Sequence, residues 1–75
     1  MSIETPTSTE IAANYSASLD SVSVITELMA LDSRDAEQTA SVARNVEHLE
    51  LMVAKSYWTS EDLAPLNAAI TSGKS

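Results

Sequence analysis

Residues 7 to 64 contain neither glycine nor proline. The two prolines, Pro6 and Pro65, bracket this gap, and the one glycine, Gly73, lies beyond it. Gly and Pro are the strongest breakers of helix, and the tight turns of β-rich folds normally need them. A gap this long leaves long helices as the main solution, and apolar residues recur inside it at helical spacing. The chain is therefore expected to be all-α: a two-helix antiparallel hairpin, a short C-terminal helix, and an extended N-terminal arm over residues 1–7.

Seventy-five residues make one small helical domain. A chain of this size buries a small core and is marginal alone unless a disulfide, a metal or a partner staples it. There is no Cys and a single His, so neither a disulfide nor an imidazole cluster is available, and no metal or cofactor is expected. Oligomerisation or docking on a larger protein remains. The absence of Phe, with one Trp and two Tyr, leaves a core built largely of Ala, Val and Leu, which gives little burial per residue. The net charge is −7, with only four basic residues, Arg34, Arg44, Lys55 and Lys74. Direct nucleic-acid binding needs clustered Lys and Arg, and so does a polybasic membrane contact; neither is expected. No apolar run has the length of a membrane span. Met1 to Pro6 has no basic or apolar leader, so secretion by a signal peptide is not expected.

Thr7-Ser8-Thr9-Glu10 matches a reciprocal capping box and starts helix one, expected over 8–31. Ile11, Tyr15, Leu19, Val22, Ile25 and Met29 form one apolar stripe, flanked by Leu28. The opposite side, Ala13, Ser16, Asp20, Ser23, Glu27 and Ala30, is short-chained. It suits a solvent face, and less strongly a second close helix contact. Asp32 to Asp35 is the one break, where Asp32 or Ser33 could cap a second helix and Asp35 and Glu37 would occupy its first turn. A single kinked helix competes with a hairpin here. The hairpin is favoured because it buries both stripes within one chain.

Helix two is expected over 34–57. Thr39, Val42, Ala43, Val46, Leu49, Val53 and Tyr57 share a face flanked by Met52, while Leu51 lies apart and would suit a partner. Arg44 and Glu47 have the spacing of an intrahelical ion pair. At Trp58-Thr59-Ser60-Glu61-Asp62-Leu63, Thr59 caps a new helix with Asp62 closing the box, and Trp58 and Leu63 occupy the positions of a hydrophobic staple. Pro65 lies too deep for that helix to continue undisturbed. The third segment, 59–71, is therefore expected to kink, to fold Leu66, Ala69 and Ile70 back on Trp58, and to end at Gly73 in a left-handed cap; residues 72–75 form a tail.

No catalytic constellation emerges. Only His48 could act as a classical base, and no nucleophile elbow is present. Asn45 stands where a Glu-x-x-His metal motif would need its carboxylate. Glu47 with Glu50, and Glu61 with Asp62, are carboxylate pairs with no evident pocket. An enzyme is not expected. Tyr57-Trp58 is the best candidate contact, since Tyr and Trp dominate interface hot spots, although Trp58 closing the core end is the favoured role. The residues expected to carry packing or an interface are Ile11, Tyr15, Val22, Ile25, Leu49, Val53, Tyr57 and Trp58.

The stretch Lys-x-x-Trp-Thr-x-Glu-Asp-Leu at Lys55 to Leu63 and the Asn-Ala-Ala-Ile at Asn67 to Ile70 resemble small uncharacterised proteins of tailed bacteriophages, especially marine cyanophages. The resemblance covers Val46 to Lys74. It implies a virion or an infected bacterial cytoplasm as the setting, and it transfers no functional residue. Together with the thin apolar faces it favours a structural or assembly protein, such as a capsid cement or a minor head or tail component, bound to a second copy of itself or to a larger virion protein. The competing expectation is an acidic phage-encoded inhibitor or nucleic-acid mimic that binds a basic host protein.

Overall fold

A computed structural model of the chain describes residues 7–75; the arm expected before Thr7 lies outside the described residues. Three helices follow in order, α1 (Ser8–Met29), α2 (Ala36–Val53) and α3 (Ser60–Gly73), with no strand among the described residues. Asn14 bonds to Tyr57 and Ser21 to His48, so α1 and α2 run antiparallel as a hairpin. The end of α3 lies against Ile25, Val42 and Val46, which lays α3 along both helices, antiparallel to α2.

Each helix starts at a side-chain cap. Thr7 Oγ1 accepts from the Glu10 N–H at 3.1 Å, but the reciprocal half of the expected box does not form. For α2 the cap is Asp35, not Asp32 or Ser33. Asp35 accepts from the Gln38 N–H at 2.7 Å, and its own N–H donates to Gln38 Oε1 at 3.0 Å. Gln38 stands three residues on and reaches back to the Asp35 N–H, so two orphan donors are satisfied together. At Thr59 and Asp62 the reciprocal pair forms as expected, at 3.1 and 3.2 Å.

The helix ends differ from expectation. α1 stops at Met29 and α2 at Val53, both short of the positions set by the apolar pattern. The pattern could not show what stops them, because the donors come from farther along the chain. Arg34 donates to the Leu28 and Leu31 carbonyls at 3.2 and 3.3 Å. Trp58 Nε1 donates to the Met52 carbonyl at 2.7 Å. They add a side-chain donor to helix-end carbonyls; those of Leu28 and Met52 also accept the Leu31 and Lys55 N–H groups.

α3 does not break at Pro65. It runs as one helix through it. The proline removes one backbone bond, to the carbonyl of the exposed Glu61. Against that cost, Leu66 and Ala69 in the next turn are 0% and 5% exposed. Burying a leucine side chain contributes about 1.5–3 kcal/mol, comparable to the bond forgone. Gly73 is not a left-handed cap either: it is the last residue of α3, and the Lys74 that follows is right-handed, with φ −93°. Its lack of a side chain matters for another reason. A Cβ there would collide with Val46 Cγ2 and stand 3.4 Å from both Ile25 Cγ2 and Val42 Cγ1.

The core is a cluster of Ile25, Val42, Val46, Leu49, Leu66 and Ala69, with Val22, Leu28, Met29, Val53 and Ile70 packed around it. Leu66, Ala69 and Ile70 thus join the α1–α2 core, whereas Trp58 is buried outside that cluster.

Candidate functional site

Beside the apolar cluster of Ile25, Val42, Val46 and Leu49, α1 carries a polar strip. Asn14, Ser18, Ser21 and Ile25 recur at spacings of four, three and four, so they stack along one side of α1. Ser18 and Ser21 are buried and Asn14 is half-buried. Ser18 Oγ donates to the Asn14 carbonyl at 2.7 Å, which satisfies a hydroxyl that has no access to water. Asn14 Nδ2 donates to the Tyr57 hydroxyl at 2.7 Å, and Ser21 Oγ and His48 Nδ1 share a hydrogen bond of the same length. Among the described residues no buried side-chain nitrogen or oxygen lacks a partner. The two bonds that leave α1, to Tyr57 and to His48, favour one register, because a slip would leave the buried Ser21 hydroxyl without its partner.

This strip lies beside the apolar stripe that marks α1 in the sequence. Of the stripe, only Ile25 is fully buried. Ile11, Tyr15, Val22 and Met29 are half-buried, and Leu19 is exposed. The stripe is turned because α1 packs on two neighbours, and the one contributed by α2 presents His48 and the adjoining Tyr57, which need polar partners. On α2, Val42, Val46 and Leu49 are buried and Val53 half-buried, but Thr39 and Ala43, expected on the same face, are exposed. The short-chained side of α1 is exposed throughout, as a solvent face would be.

Tyr57 and Trp58 lie in the turn beyond α2, so helical geometry does not send them apart. Their rings meet edge to face, with centroids 4.5 Å apart, and Tyr15 adds a tilted contact to Trp58 at 5.7 Å. Such pairs contribute about 0.5–1.5 kcal/mol beyond their burial. Trp58 is 9% exposed. It closes the end of the hairpin and is already used within the chain.

The Ser21–His48 pair brings a hydroxyl to the one histidine, a juxtaposition that separation in sequence concealed. A working nucleophile also needs access, a group orienting the base, and donors for the developing oxyanion. Ser21 is 5% exposed. It lies mid-helix, where backbone N–H groups are already bonded along the helix. Chemically the pair is a clasp. The carboxylates divide likewise: Glu50 Oε2 accepts from Lys74 Nζ at 2.6 Å, and Asp62 serves the start of α3. The expected Arg44–Glu47 ion pair does not form; the Lys74–Glu50 bridge is the one found among the described residues. In the same residues no group of three or more His, Asp or Glu is placed to hold a metal ion, and no helix is long and apolar enough to cross a membrane.

A groove of about 350 Å³ runs between α1 and α2. Val24, Glu27 and Leu28 line one wall, and Glu37, Gln38, Ser41 and Arg44 the other. Along α2 the exposed Glu37, Arg44 and Leu51 repeat every seven residues, which places them on one strip. Leu51 is 63% exposed, the most of any large apolar residue described. Comparison with protein-family models, with curated proteins and with solved structures finds no match to this chain.

Proposed function

We propose that the chain is a non-enzymatic structural or assembly protein that docks by its helix faces onto a larger complex, a bacteriophage virion component of the cement or minor head or tail type. The observation that carries the docking reading is the open face formed by α1 and α2. It presents Val24 on the groove wall and the exposed Leu51 farther along α2, neither of which belongs to the core cluster or its packed surround. The virion setting rests on the resemblance at Lys55 to Leu63 and Asn67 to Ile70. Tyr15, Leu49, Tyr57 and Trp58, expected as packing or interface residues, are turned inward or onto one another and support the fold, so the docking surface is assigned to other residues.

An acidic mimic would present carboxylates in an even row. Here Glu50 is engaged by Lys74, Asp62 serves the cap of α3, and the groove wall that carries Glu37 also carries the basic Arg44, which favours assembly over mimicry. Quantitative mass spectrometry of purified phage particles tests the reading. A fixed copy number per particle, retained after high-salt washing, is expected; absence from particles, with the protein confined to the infected-cell lysate, would overturn it.

A further inference from the structure

We infer that the open α1–α2 face pairs with the same face of a second copy of the chain, through a two-fold axis crossing α2 at Ala40–Ser41. The inference rests on the assembly reading and names one partner for it.

The argument begins with Arg44. It is exposed, lines the groove, and makes no hydrogen bond or ion pair among the described residues, although Glu47 stands at the usual intrahelical spacing. Seven residues earlier on the same strip is Glu37, also exposed and without an ion pair there. Opposite charges about two turns apart on one strip are self-complementary. A two-fold axis at their midpoint sets Arg44 of each copy against Glu37 of the other. That midpoint falls between Ala40 and Ser41, whose small side chains let the crossing helices approach closely. Val24 on the groove wall, outside the core cluster, adds an apolar contact. Charge fixes the register and the pairing, which is where complementary electrostatics act most strongly.

General repulsion between copies of net charge −7 opposes association. At about 0.15 M salt it is largely screened beyond about 8 Å, while apposed charges are screened less. The two effects separate experimentally. Arg44→Glu makes the chain more negative and Glu37→Arg makes it less so. Repulsion alone would move their self-association in opposite directions, whereas the paired arrangement weakens in both.

Sedimentation equilibrium of the full chain from micromolar to millimolar concentration, at about 0.15 M salt, is the test. The wild type is expected to approach twice its 8.0 kDa mass. Each single reversal is expected to weaken dimerisation at least about tenfold, and the double variant Glu37→Arg/Arg44→Glu to restore it. Circular dichroism confirms that each variant stays helical. A monomer at every concentration, a dimer indifferent to both reversals, or a double variant that fails to recover would each overturn the pairing. Particle mass spectrometry is independent of these outcomes, so the pairing can fail while the assembly reading stands, and the reverse.

Discussion

At one end of the bundle, where α1 begins and α2 gives out, Asn14, Tyr15, Tyr57 and Trp58 meet through hydrogen bonds and tilted rings. At the other end, where α2 begins and α3 finishes, Ile25, Val42 and Val46 close on Gly73 with no room for a single added carbon. The first end is large, directional and polar at its edges; the second is small, apolar and tight. The difference teaches how a chain poor in aromatics divides its tasks. Directional bonds select one register at the wide end, and close approach of backbone to aliphatic side chains gives density at the narrow one.

Trp58→Ala should damage this division most. It removes the ring buried between Tyr15 and Tyr57 along with the donor to the Met52 carbonyl, and should cost about 3–5 kcal/mol, read from the urea midpoint. A loss below about 1 kcal/mol would mean that the aromatic end is ornament to a fold held by the aliphatic end alone. Gly73→Ala should come next, at about 1–3 kcal/mol, because the new methyl meets Val46. Combined with Val46→Ala it should cost less than the sum of the two single changes; strict additivity would show that the narrow end is not close-packed there. Tyr57→Phe should be the mildest, about 1 kcal/mol, since it strands the Asn14 amide while keeping the ring. In a double-mutant cycle with Asn14→Ala the loss should largely vanish, which distinguishes a specific bond from general packing.

The sequence made the helical class legible because the Gly- and Pro-free gap and the apolar period agree. Helix starts are legible where a reciprocal partner sits three residues on, as at Thr59; before α2 two such pairs overlap, Asp32 with Asp35 and Asp35 with Gln38, and spacing alone does not choose between them. The centre of the hairpin contact was hidden. Its polar part is carried by Asn14 and Ser21, with Ser18 buried between them, and their polarity argues for solvent until Tyr57 and His48 are known to stand opposite. Their four-three-four spacing, running into Ile25, was the available signal. Pro65 and Gly73 misled for a related reason. Local conformational preference reads them as a break and a left-handed cap, while the burial of Leu66 and the approach of Val46 are tertiary facts. The groove was legible only in outline, as surplus apolar residues; which charges rim it depends on how α1 and α2 are rotated against each other.

The carbonyl ends of α1 and α2 are each fastened by a side chain six residues downstream, Arg34 to Leu28 and Trp58 to Met52. Such contacts close over short stretches of chain and so cost little loop entropy. The reversal of direction after each helix can be set before the helix it leads into has been laid down. Topologies rich in local contacts fold fast, and here the corners themselves are among those contacts. The route to this shape is thereby written as a series of short steps from the first corner to the last.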